Sequence, residues 1–207
     1  TRACASTGSA PRRRRRPDVA APEAIAIGCS AGGLTALERL LAQLDPRLPQ
    51  TLLVCCHTGS ATVELMCELL ARHTRLRVTE ARERELPQAG TVHVAPSGYH
   101  LLIEHDRRFA LSVDPRVSYA RPSIDVLFDS AAEAYRDALV GVVLTGANSD
   151  GAQGLATIRG HGGIAIVQEP GDAESPTMPQ AALERAGADH CLPLADIPSL
   201  LNRLCLA

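Results

Sequence analysis

The chain holds 207 residues, of which 45% are hydrophobic, 21% charged and only 2% aromatic, with no Trp. That length accommodates one large domain with a sizeable core; no apolar run approaches the roughly 20 residues of a membrane-spanning helix, and so few aromatics argue against base-stacking or carbohydrate platforms. The formal charge of −2 is unevenly spread: residues 1–17 carry six arginines and no acid, leaving 15 Arg against 23 acids beyond them, and an acidic body is a poor nucleic-acid binder.

Residues 1–22 are small, polar and cationic, with three prolines and five consecutive arginines at 12–16, and they read as a basic tail or linker rather than part of a core. A single domain is expected over 23–207. No cationic start followed by an apolar stretch marks a secretory leader. Seven cysteines (Cys4, Cys29, Cys55, Cys56, Cys67, Cys191 and Cys205) form no C-x-x-C and read as buried free thiols, which suits a reducing, cytoplasmic setting.

From Glu23 onward, short apolar runs alternate with amphipathic stretches. Residues 24–28 read as a buried strand, and a helix over 33–44 follows with Leu34, Leu37, Leu41 and Leu44 on one stripe. A second buried strand spans 51–56. Ser60 then caps a helix whose Val63, Met66, Cys67 and Leu70 recur at helical spacing. After a strand at 91–95 and a turn at 96–98, residues 100–104 and 108–113 form a hairpin around Asp106. Ser123 caps a helix carrying Ile124, Leu127, Phe128 and Ala131 on one face. The strand at 139–144 is the most apolar, and helix 151–160, strand 163–167, helix 177–186, a short strand near 190–192 and helix 196–204 complete the chain. Strands without polar alternation, separated by helices, define an α/β fold: a doubly wound, mostly parallel sheet flanked by helices on both faces, with one antiparallel hairpin.

In such sheets ligands bind outside the carboxyl ends of the strands. There the first strand leads into Gly28-Cys29-Ser30-Ala31-Gly32, a G-x-S-x-G turn that presents a serine hydroxyl beside the free N–H groups of a new helix. The plain alternative is a glycine turn with Ser30 as a helix cap. A dinucleotide fingerprint would need Gly where Ser30 stands and an acid after the second strand, where the chain has Cys56-His57. His57 ends the strand next to the serine turn, where an imidazole can take a hydroxyl proton. The most apolar strand runs into Thr145-Gly146-Ala147-Asn148-Ser149-Asp150-Gly151, in which Asp150 can cap the following helix or orient His57. No metal-ligand spacing is visible, and no cofactor is expected.

Six segments in order, IGCSAGG (27–33), His57, VAPSGYHLLI (94–103), RPSIDVLFDSAA (121–132), VLTGANSDGAQGL (143–155) and MPQAAL (178–183), resemble the catalytic domain of the bacterial chemotaxis protein-glutamate methylesterases, the CheB type. The resemblance covers residues 23 to 204. It implies a Ser-His-Asp triad of Ser30, His57 and Asp150, and hydrolysis of glutamate γ-methyl esters on the cytoplasmic helices of chemoreceptors, with deamidation of receptor glutamines as a second activity. On this reading the backbone N–H groups of Ala31 and Ala147 hold the oxyanion, and His57 Nε2 faces Ser30 while Asp150 faces the other ring nitrogen. Partners would include a receiver domain or other chemotaxis proteins, with no nucleic acid and no membrane insertion. Several positions depart from the family pattern: Ala31 replaces a Thr, Ala147 a Met and Asn148 a Gly, the last tolerable because Asn accepts left-handed backbone, and Cys56 and Thr58 flank His57 in place of the usual Gln and Met. The alternative is a weak or inactive relative that binds signalling partners without chemistry.

Overall fold

The structure, a computed structural model, describes residues 21–57 and 62–206. The arginine-rich segment, apart from its last two residues, and Ser60 lie outside these. The elements in chain order are β1 (Ala24–Cys29), α1 (Gly33–Leu41), β2 (Thr51–Cys56), α2 (Val63–Ala71), β3 (Arg77–Glu80), β4 (Thr91–Val94), β5 (His100–Ile103), β6 (Phe109–Ser112), α3 (Ile124–Tyr135), β7 (Leu139–Val143), α4 (Ala152–Gly160), β8 (Ile164–Gln168), α5 (Thr177–Arg185), β9 (His190–Leu192) and α6 (Ile197–Cys205). Seven strands pair in the order β3-β4-β2-β1-β7-β8-β9, all parallel, and β5 and β6 form the separate antiparallel hairpin. Fold class and hairpin therefore agree with the sequence reading.

Two details differ. Strand β3 was not expected: its sequence, Arg-Val-Thr-Glu, lies on the sheet edge with no fully buried side chain, so it lacks the apolar run that marks the other parallel strands. Helix α2 is capped by Thr62, whose hydroxyl accepts the N–H of Leu65, rather than by Ser60 two residues earlier.

The central strands are buried on both sides, and the period of two divides their side chains between two cores. Ile25, Ile27 and Cys29 pack with α1, α2 and α6, whereas Ala24 and Ala26 join α3, α4, α5 and the hairpin. Small residues on the second face let α3 sit close to the sheet. A Cβ at Gly28 would come within 2.3 Å of Ile124 Cγ2, so glycine there fixes how near the first turn of α3 can approach β1. The chain leaves β1 toward β2 and returns at β7 on the other side of β1, so the direction of winding reverses between β1 and β7 and opens a crevice at their carboxyl ends. Among the described residues no helix is long and apolar enough to cross a membrane.

Candidate active site

Three strand ends meet at this crevice. After β1, Gly32 takes the left-handed conformation (φ 74°) and is itself the N-cap of α1, so the turn is made by a glycine and the Ser30 hydroxyl is not used as a cap. The Ser30 N–H donates to Thr145 O at 2.9 Å, while the Thr145 hydroxyl donates to Ala31 O at 2.9 Å and accepts the N–H of Ser175 at 2.8 Å. Thr145 thus clasps the serine turn to the loop after β7. His57 follows β2, with its N–H on Cys29 O at 3.1 Å. Ser30, His57, Asn148, Arg116, Tyr119 and Arg121 line a common crevice of about 440 Å³.

Asp150 is fully buried and accepts four hydrogen bonds, the full capacity of a carboxylate that needs no water. One oxygen takes the Ser123 hydroxyl at 2.8 Å and the Asp125 N–H at 3.0 Å; the other takes the Ile124 N–H at 2.7 Å and His57 Nε2 at 2.9 Å. Burial alone would raise its pKa, but the hydrogen bonds from His57 and from the start of α3 outweigh it and hold the carboxyl below its ordinary value. An ionised carboxylate only accepts, so Nε2 carries the ring proton.

This corrects two expectations. Asp150 does not cap its own helix: it caps α3, while Asp125 of α3 caps α4 by accepting the Gly154 N–H at 2.8 Å, so the two helices exchange caps. Secondly, the ring nitrogen that faces Asp150 is Nε2, which leaves Nδ1, not Nε2, as the ring's lone-pair atom. Among the described residues the Ser30 hydroxyl makes no hydrogen bond to His57. The N–H groups of Ala31 and Ala147 are likewise uncommitted within the described protein, and both residues are exposed.

Asn148 does not occupy left-handed backbone; within 145–151 only Gly151 does, at φ 92°. Its side chain instead accepts the Asp150 N–H at 3.1 Å and lies 3.4 Å from His57 Nδ1. Sequence reasoning also missed that Ser123, besides capping α3 through the Val126 N–H, donates to Asp150, and that its own N–H goes to Nδ1 of buried His100, whose Nε2 donates to Pro115 O beside the crevice wall. The capping signal at Ser123 was visible; its second partner lies 27 residues away, beyond any local pattern.

Cys29 stands next to the nucleophile candidate but faces the α1 side of the sheet, fully buried and paired in register with Cys56. Its hydrogen bond to Cys56, in which the Cys29 S–H donates, and its burial hold the thiol well above the ordinary range, so it remains protonated and unreactive. Among the described residues no cluster of three or more His, Cys, Asp or Glu side chains is placed to hold a metal ion.

Residues 25–201 match the family model described as CheB methylesterase. A Leptospira interrogans protein provisionally named protein-glutamate methylesterase/protein-glutamine glutaminase is 45% identical over 182 residues, which cover 88% of this chain and 94% of that one. A Symbiobacterium thermophilum protein-glutamate methylesterase/protein-glutamine glutaminase is 36% identical over 86% of this chain but only 49% of its own length. The crystal structure of the Thermotoga maritima CheB methylesterase catalytic domain superposes with a TM-score of 0.85 at 28% identity, covering 89% of this chain and all of that one.

Proposed function

The chain belongs to the CheB methylesterase family, and from that premise we propose that it hydrolyses γ-methyl esters of protein glutamates with Ser30 as nucleophile, His57 as base and Asp150 as the group that orients and charge-stabilises the base. The observation that carries the assignment is the 2.9 Å contact between His57 Nε2 and a buried, fully hydrogen-bonded Asp150, on a crevice that also holds Ser30 at its glycine turn.

His57 Nδ1 accepts the Ser30 proton as Oγ attacks the ester carbonyl. The N–H groups of Ala31 and Ala147 hold the oxyanion, each such donor being worth about 10²–10³ in turnover. Collapse expels methanol, which takes its proton from the imidazolium. Water, deprotonated by the same Nδ1, then attacks the acyl-serine and releases glutamate and the free hydroxyl. Asp150 accepts from Nε2–H throughout and stabilises the cation without itself taking the proton. A glutamine side chain differs in expelling ammonia rather than methanol, and the relatives' names couple the two activities. We take the substrates to be the methylated cytoplasmic helices of chemoreceptors, in keeping with the family. No feature of the site favours a partner-binding scaffold without chemistry.

The test is methanol release from a methylated receptor fragment. Wild type releases methanol and Ser30→Ala and His57→Ala do not; equal release from wild type and Ser30→Ala overturns the assignment.

A further inference from the structure

We propose that Asn148 is a positioning residue for His57, holding the neutral imidazole with its Nδ1 lone pair on the crevice side. The inference rests on the reading of His57 as the base, and follows from donor and acceptor identities alone. The Asp150 N–H can only donate, so the Asn148 atom 3.1 Å from it is the carbonyl oxygen Oδ1. With Oδ1 fixed there, the amide nitrogen Nδ2 is the atom turned to His57, 3.4 Å from Nδ1. An amide NH₂ can only donate, so Nδ1 must accept and is unprotonated. The remaining proton then sits on Nε2, where Asp150 receives it at 2.9 Å. Asp150 thus specifies the ring from both sides: directly through its carboxylate, and through its own backbone N–H by way of Asn148.

A donor aimed at Nδ1 favours the neutral ring and opposes its protonation. Once Nδ1 has taken the serine proton, two donors face each other and Asn148 has to yield, so its contribution is made before substrate reacts. The charged groups nearest to the ring are Asp150, bonded to Nε2, with Asp125 bonded to Asp150 through its backbone N–H, and Arg116 and Arg121, which line the same crevice.

The readout is the acidic limb of the kcat/KM profile for methanol release, measured with the full chain. Asn148→Ser keeps an oxygen that can accept the Asp150 N–H but withdraws the donor from the ring; Asn148→Ala removes both. Loss of one hydrogen bond of ordinary strength moves the limb up by roughly 0.5–1 pH unit in both variants. NMR titration of the ring signals of His57 in the same proteins follows the same displacement without depending on turnover. If either variant loses rate while limb and ring titration stay with wild type, Asn148 serves the loop alone and the proposal is overturned. Activity surviving in His57→Ala instead defeats the assignment of the base on which it rests.

Discussion

Ile124 donates its backbone N–H, at 2.7 Å, to the same Asp150 oxygen that receives His57 Nε2. One carboxylate therefore terminates a helix and anchors an imidazole. Asp150→Ala strands the Ile124, Asp125 and Ser123 donors together, and leaving buried donors unpartnered costs about 1–3 kcal/mol each before relaxation. The expected result is a loss of about 3 kcal/mol in chemical denaturation, with methanol release falling about 10⁴-fold. Ser123→Ala, which removes one of the four bonds, costs about 1 kcal/mol and much less activity. An Asp150→Ala protein of wild-type stability would refute the capping role.

Acid titration separates two groups of opposite sense, half-buried Asp125 and buried His93. Burial, with the charges of Asp150 and Asp129 nearby, pushes Asp125 up to about 6 despite the Gly154 N–H it accepts. A carboxyl whose folded value is raised contributes stability that is complete below about 4 and lost as pH rises to about 6. His93 is pushed down to about 4, chiefly by burial against Phe109. Its contribution is complete above about 6.5 and lost as pH falls to about 4. Asp125→Asn therefore makes stability climb more steeply with pH between 4 and 6, and His93→Gln makes it climb less. Denaturant midpoints collected across that window check both slopes.

Cys29→Ala retains methanol release within a few-fold of wild type, because the thiol faces the core and stays protonated. Its loss opens a small cavity beside Cys56 at a cost of about 1 kcal/mol. A collapse of turnover without loss of folding would point to a sulfur nucleophile instead.

Gly28→Ala drives a methyl into Ile124 Cγ2. Overpacking of this kind costs about 1–3 kcal/mol, and the displaced residue is the one whose N–H holds Asp150, so turnover falls as well. Combining it with Ile124→Ala removes the collision. The double variant is then less destabilised than the two single effects added together, and strict additivity would contradict the contact.

The sheet was legible because its central strands are buried on both faces, so 24–28, 51–56 and 139–144 stand out as unbroken apolar runs. β3 was not, since an edge strand of mixed polarity carries no such signature. The positions of Ser30, His57 and Asp150 at three strand ends followed from the winding of the chain. What stayed hidden was the choice of atom: which nitrogen of His57 meets Asp150, that Asn148 serves through its amide rather than its backbone, and that Asp150 and Asp125 cap each other's helices. Each depends on approach distances between segments far apart in the chain, which no local pattern encodes.

The exchange of caps has a consequence for how this protein can decay. Among the described residues the Ser30 hydroxyl makes no structural hydrogen bond, so a lineage released from selection for turnover can discard it at little cost to folding. Asp150 cannot be discarded so freely, because two helices lean on the loop that carries it. Descendants that have lost their chemistry should accordingly keep the aspartate long after the serine has gone, and an intact carboxylate at that position is by itself a poor sign of a working enzyme.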